Sequence, residues 1–398
     1  MLPPPLMTSD PDSFARSTIV ERKPQIIRRV LAENDYPPAI VAALQAFAAE
    51  IAGETVRPLS EQADDTADWN RAWQRYEGRT WLELPWYFAE TFFYRRLLEA
   101  VRYLQPGPWA GRDPFAVQKR RQEQEALAQL AAIWPSLTAL MATEPELAFE
   151  ALLHSALWGN RADLSNFTVQ VTAQIGLAVQ AERQHLLIDH TACLLARLQE
   201  GLRRLDCIGD NVGLDVLGDL ALADFLLGRG WVERVVMHLK DRPFFVSDAM
   251  VTDVEIVLAG LRSASAPELA ALGERLSEYR RCGRLHLTTH PFWSSFRTFA
   301  DLPNDLRQEL EAADLRLFKG DVNYRRLLDD RHWPHTTPFE AVAVRLRLPR
   351  PLVVLRTLKG EIMVGLQPGQ AEHLAAVDPD WLIDGRWGII QWVDRTDR

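Results

Sequence analysis

The stretch LDCIGDNVGLDVLGDLALADFLL, residues 205–227, decides the architecture. It opens on a short apolar run at 205–208 and passes through Gly209-Asp210-Asn211. It then continues over 212–227 with apolar residues at spacings of three and four. That is a strand, a polar turn and a helix in succession. The pattern recurs downstream. Apolar runs at 234–239, at 284–288 with 315–318, and at 352–355 read as further strands, and helical patterns at 254–261, 267–280 and 302–313 lie between them. This alternation predicts an α/β fold: a three-layer α/β/α sandwich around a mostly parallel sheet.

Upstream the character changes. Residues 19–34, 38–51, 82–104, 114–134 and 144–157 carry helical periodicity, separated by proline-rich breaks such as Tyr36-Pro37-Pro38 and Gln105-Pro106-Gly107-Pro108. A β-branched run at 168–179 fits neither period cleanly. The expected organisation is therefore a flexible N-terminus over 1–16, a helical subdomain over 17–195 and an α/β catalytic, metal-binding domain over 196–398. A chain of 398 residues exceeds one ordinary core, which favours two closely packed units.

Composition narrows the functions. With 45 basic and 54 acidic residues the formal charge is −9, which disfavours nucleic acid and anionic membrane surfaces as partners. Cys193, Cys207 and Cys282 lie far apart without metal-site spacing, and the start MLPPPLMTSDPD lacks the basic and apolar regions of a secretion signal. The apolar stretch 81–104 is interrupted by Glu83, Glu90, Arg95 and Arg96, and is not expected to span a membrane. A cytoplasmic protein is expected.

The residues released at successive strand ends point to a site. Gly209-Asp210-Asn211 comes after the first, Lys240 and then Ser247-Asp248 after the second, His290 and the segment KGDVNYR at 319–325 after the third pair, and RTLKG at 356–360 after the last. Ligands of such folds bind where strand ends release side chains into a crevice. Asp210, Asn211 and Asp248 offer oxygen ligands alone, suited to manganese, magnesium or a similar divalent ion, with positions left for water and substrate. Taken singly, Asp210, Asn211 and Asp248 are also good helix caps. Asp215 lies one turn inside the helix on the face of Asn211, to hold a water or to meet the positive helix N-terminus. Lys319, Arg325 and Lys359 are phosphate-binding candidates, with solvated surface cations as the alternative. Asn323 can bond a sugar hydroxyl or its own turn. Asn160 and Asp163 line the crevice or punctuate helices, and His238 and His290 read as structural.

Six segments in this order resemble the damage-control phosphatase family, in the branch of acidic-residue methyltransferase-like proteins and sugar-phosphate phosphatases. They are TWLELPWYFAETFFYRRLL at 80–98, LWGNRADLS at 157–165, GDNVGLDVLGDLALADFLL at 209–227, HLKDRPFFVSD at 238–248, FKGDVNYRRL at 318–327 and RTLKGE at 356–361. The resemblance implies a helical subdomain on an α/β/α sandwich. It implies a manganese-, cobalt- or nickel-type ion on Asp210, Asn211 and Asp248. The implied substrate contacts fall on Asp321, Asn323, Tyr324, Arg325 and Lys359, and Asn160, read above as lining the crevice, is a further candidate. The implied substrate is a small phosphorylated metabolite such as fructose 1-phosphate or fructose 6-phosphate. Two positions depart from the family pattern: Asp215 stands where a glutamate is usual, and Asp189-His190 replaces a frequent pair of aspartates. An S-adenosylmethionine-dependent carboxyl methyltransferase is a rival reading, but only Gly209 and Gly213 flank the acidic pair where a nucleotide-binding turn uses several glycines. A sugar-phosphate-binding protein without turnover is the other.

Overall fold

Alternation within the strand runs sends side chains to both faces of one sheet, and the computed structural model, which describes residues 2–159 and 172–394, shows both faces covered. In chain order the strands are β1 (Leu186–Asp189), β2 (Leu202–Ile208), β3 (Val232–Leu239), β4 (Leu285–Thr289), β5 (Leu315–Lys319), β6 (Leu352–Thr357) and β7 (Gly388–Val393). They lie in the order β1-β7-β6-β5-β2-β3-β4. Neighbours are parallel except β6 and β7, which run antiparallel. The expected α/β sandwich is present, and β1 and β7 extend it beyond the strands read from sequence.

The chain winds outward from β2 to β3 and β4, then returns to the other side of β2 as β5 and β6. The crevice between the carboxyl ends of β2 and β5 is therefore the topological switch point, where doubly wound folds bind ligands. Asp210 follows β2 there, and Gly320 follows β5.

One sheet face packs Leu205, Cys207, Val235, Met237, Leu315 and Leu317 against helices Leu214–Arg229, Val251–Arg262 and Pro267–Arg281. Helices Ala116–Thr143 and Pro145–Trp158 join this same core through Leu130, Trp134, Phe149 and Leu152. The opposite face buries Ile208, Phe318, Leu352 and Val354 under residues from helices Asn304–Glu311, Gly320–Leu327 and Phe339–Arg345. A third core gathers Ile27, Leu44, Phe92 and Phe115 with Phe244 and Phe245 from the loop after β3. The boundary expected near 195 thus moves to about 115. Helices beyond it bury their apolar stripes on the sandwich, where their periodicity in sequence could not say which core they join. Helix Ala116–Thr143 is long and apolar enough by length and composition to cross a membrane, and its buried face lies in this core.

The expected flexible N-terminus is also corrected. Leu6 and Thr8 are buried, Leu6 N donates to Asp330 O at 3.0 Å, and the Thr8 hydroxyl donates to Trp81 O and Leu84 O while accepting from Leu84 N. A short proline-rich opening carries no periodicity, so only its partners reveal that it is ordered. Thr8→Val keeps the shape of the side chain and strands the Leu84 amide, so it is expected to destabilise the protein by about 1–3 kcal/mol in urea unfolding. A flexible tail would give no change.

Candidate active site

The loops after β2 and β3 are joined by their backbones. Val212 N donates to Ser247 O at 2.7 Å, Ala249 N to Asp210 O at 2.9 Å and Lys240 N to Ala249 O at 3.0 Å, and Asn211 pairs with Asp248 as an antiparallel bridge. Phe245 and Val246 hold positive φ of 50° and 67°, a strained conformation for a bulky and a β-branched residue. Packing of Phe245 against Tyr94 and Phe244, with ring centroids 5.1 and 4.8 Å away, holds that turn in place.

Neither aspartate acts as a cap. Helix Leu214–Arg229 starts after Gly213, with no side-chain cap, and helix Val251–Arg262 starts after Met250, whose amide donates to Asp253. The side chains of Asp210, Asn211 and Asp248 are thereby left for the crevice. Asn211 Nδ2 donates to Asp210 Oδ2 at 2.7 Å and Asp215 Oδ2 at 3.2 Å, while its Oδ1 accepts from the Ser247 hydroxyl at 2.6 Å. Asp248, 1% exposed, pairs with Lys240 at 3.2 Å.

The electrostatics are those of carboxylates held together against their repulsion. Burial raises Asp210 well above the usual carboxylate range, and the charges of Asp215 and Asp248 push it further. Burial also raises Asp215 and Asp248, against the pull of Lys319 and Lys240 respectively. Lys319 at the end of β5 is committed to Asp219, one helical turn beyond Asp215, at 2.5 Å. Among the described residues no group of three or more His, Cys, Asp or Glu side chains is placed to hold a metal ion.

Two cavities meet at this cluster. The larger, about 190 Å³, is lined by Asp210, Asn211, Asp248, Asp321 and Lys359, and on the helical side by Phe14, Arg22, Trp86 and Glu90. The smaller runs from Asp210 and Asp215 past Lys319 to Trp158 and shares Thr357 and Lys359 with the first. Lys359 is exposed within them, and the loop that carries it is fixed by Leu358 N to Trp387 O and Gly360 N to Leu382 O, both 2.8 Å.

Residues 321–325 divide. Asp321 lines the cavity and is held at about 2: burial acts to raise it, and Arg356 and Arg325 outweigh burial. The expected substrate contacts of Asn323 and Tyr324 are corrected. Asn323 Nδ2 donates to Gly209 O and Lys319 O, and the Tyr324 hydroxyl lies in the core beside Gln391 and Val364 N. Helical periodicity turns these two away from the face carrying Asp321. Arg325 is fully buried between Asp321 and Asp330, with its guanidinium 4.0 Å from the Trp86 ring centre. It supports the wall from behind rather than lining it. Asn160 and Asp163 lie outside the described residues. His238 pairs with buried Asp206, and His290 Nδ1 caps its own turn by accepting from Phe292 N, as their structural reading expected.

Sequence reasoning did not select Phe14, Arg22, Trp86 or Glu90. Phe14 reaches the cavity because Glu361 accepts its amide hydrogen bond, tying the N-terminal helix to the loop of Lys359. The available signal for Glu90 was the single charge within the largely aromatic run 86–94.

The sequence model of the Damage-control phosphatase ARMT1-like domain matches residues 18–374. This chain belongs to that family. It is similar to Damage-control phosphatase ARMT1 of Mus musculus, at 34% identity over 97% of this chain and 98% of that protein. The protein of the same name from Danio rerio is 32% identical over 98% and 97% of the two chains. A DUF89-family protein of Pyrococcus horikoshii shares 15% identity, with a TM-score of 0.48 over 95% of this chain and 97% of that one. Membership makes the chain a phosphatase, a hydrolase of small phosphorylated metabolites.

Gly320 tests how closely this site is built. Its φ is +82°, and a Cβ there would stand 2.0 Å from Asp210 Oδ2. Gly320→Ala must displace the carboxylate by about 1 Å, a misplacement worth about a hundredfold in rate. Phosphate release is expected to fall by that order, with the circular dichroism spectrum retained.

Proposed function

We propose that this phosphatase is divalent-metal-dependent and hydrolyses small sugar phosphates of the fructose 1-phosphate and fructose 6-phosphate type. The observation that carries the reading is the convergence of Asp210 and Asp248, from two adjacent strand ends, on a cavity that Lys359 enters from a third. Burial raises both carboxylates, and repulsion from Asp215 and Asp248 raises Asp210 further, so the pair is short of positive charge, which a divalent cation would supply.

The donor set fits a hard ion. Asp210 and Asp248 would hold it with Asn211, whose amide already bridges Asp210 and Asp215. Turning that amide by 180° exchanges its nitrogen for its oxygen without a change of shape. Manganese best matches the oxygen-and-amide set, with cobalt, nickel and magnesium as alternatives. When bound, the ion would polarise a phosphoryl oxygen as a Lewis acid. The chain's own residues would do the rest. Asp215 would orient the hydrolytic water, and Lys359 would meet phosphoryl oxygens where charge develops. Asp321, kept ionised by Arg356 and Arg325, would accept hydroxyl hydrogens of the substrate. The three unpaired cysteines support a cytoplasmic setting.

Activity is expected to vanish with EDTA and to return with manganese or cobalt, and Asp210→Ala and Asp248→Ala are each expected to abolish turnover of a folded protein. Full activity in either variant would remove the metal assignment. Lys359→Met keeps the apolar stem and discards the charge, so kcat/KM should fall at least about a hundredfold, with Lys359→Arg recovering part of it. Phosphate release should need no S-adenosylmethionine. A protein that methylates acidic side chains and releases no phosphate from any hexose phosphate would establish the methyltransferase reading instead.

A further inference from the structure

Two exposed cations reach the active-site cavity, Lys359 from the sheet and Arg22 from the helical unit. Among the described residues they are the only cations that line it, and the carboxylates there outnumber them. Arg22 makes no side-chain hydrogen bond or ion pair among those residues. Arg325, Arg326 and Arg356, by contrast, are buried and bonded within the fold. Arg22 also lines a neighbouring cavity of about 300 Å³ with Arg29, Gln118 and Ser247, so it borders both.

The backbone that carries Arg22 is fixed, although its side chain is not. Thr18–Arg22 is a π-helical turn, closed by Lys23 N donating to Thr18 O across one more residue than an α-helix spans. The Thr18 hydroxyl accepts from Trp86 Nε1 at 2.8 Å, and Lys23 Nζ pairs with Glu90 at 2.5 Å in the core. Lys23 is thereby turned inward, and Arg22 beside it stays exposed at the cavity wall. Single wide turns of this kind recur at functional sites. Tyr94 raises the Arg22 guanidinium, partial desolvation opposes this, and the charges of Glu90 and Asp321 add to the rise. Its charge therefore lies beside Asp321, which lines the same cavity.

A dianionic phosphate ester in this cavity meets repulsion from Asp210, Asp248 and Asp321, which the two cations offset. They differ in kind. An ammonium acts as a point charge, whereas a guanidinium clamps two phosphoryl oxygens with a planar fork. Phosphoryl transfer spreads charge over three equatorial oxygens in its transition state, so a second cation stabilises it beyond what Lys359 supplies alone.

We propose that Arg22 is a phosphate-binding residue of the active site, which clamps the phosphoryl group of the substrate from the helical unit while Lys359 holds it from the sheet. The inference rests on the phosphatase reading of the same cavity. It gives the helical unit a direct part in binding the reacting group.

The test measures binding of inorganic phosphate to the manganese-loaded full chain by calorimetry, beside kcat/KM for fructose 1-phosphate and p-nitrophenyl phosphate. Arg22→Gln is expected to weaken phosphate binding at least about tenfold. It should lower kcat/KM for both esters by at least about a hundredfold, because both share the phosphoryl group. Arg22→Lys, which keeps the charge and loses the fork, should recover part of each. Arg29→Gln removes an exposed arginine of the neighbouring cavity and is expected to change neither. An equal loss in Arg29→Gln would show a general effect of surface charge and overturn the clamp. A loss confined to fructose 1-phosphate, with phosphate binding intact, would place Arg22 on the sugar and overturn it. Reduced turnover of both esters with unchanged phosphate binding would leave Arg22 a structural part only, and wild-type values throughout would make it a solvated surface cation. Either result would overturn the inference. A wild-type chain that binds phosphate through Arg22 yet cleaves neither ester would uphold the anion site and overturn the proposed function instead.

Discussion

Two loops that leave neighbouring parallel strands are stitched to each other by backbone hydrogen bonds, and the site depends on that stitch. The bonds from Val212 N to Ser247 O and from Ala249 N to Asp210 O bring Asp210 and Asp248 to one crevice although their charges oppose it. Parallel strands fix the starting points of the loops, because the β2–β3 register aligns Ile208 with His238. Backbone bonds then hold together groups that side-chain electrostatics alone would drive apart. The strain at Phe245 and Val246 is stored in the same place and is held by aromatic packing from the helical subdomain.

That coupling explains why the two units cannot be considered separately. The helical subdomain packs against the turn before Asp248 and supplies Arg22, Trp86 and Glu90 to the cavity wall. The N-terminal helix is tied through Glu361 to the loop of Lys359. The cavity wall is thus built from elements separated by hundreds of residues, and a shift of either unit would change its shape. Arg325 sits at the junction: it braces Trp86 on the helical side and Asp321 on the sheet side.

Cations in the site are divided by how they are satisfied. Lys240 and Lys319 each have a carboxylate partner in the fold, whereas Lys359 is exposed in the cavity on a loop whose backbone is pinned. All three stand at or just after the end of a strand, and the sequence alone does not separate them. Burial separates them, because a buried ammonium must be paired and an exposed one is left for a ligand.

By itself the sequence determined the central strands, the intervening helices and the strand-end positions of Asp210, Asn211, Asp248 and Lys359, because period and turn chemistry are local properties. It missed β1 and β7, short strands outside the strand–helix alternation that marked the others. It could not decide whether the aspartates cap helices or face the crevice, since both uses select the same residue type, and the helix starts after Gly213 and Met250 decided it. It placed Asn323 and Tyr324 with Asp321 because they are neighbours in the chain, and the turn of one helix separated them. Glu90 and Trp86 lay hidden among residues that read as core. Only the tertiary structure brought that wall to face Asp210 and Asp248, because a contact between distant segments is fixed by the packing of whole helices and leaves no spacing in the sequence to read.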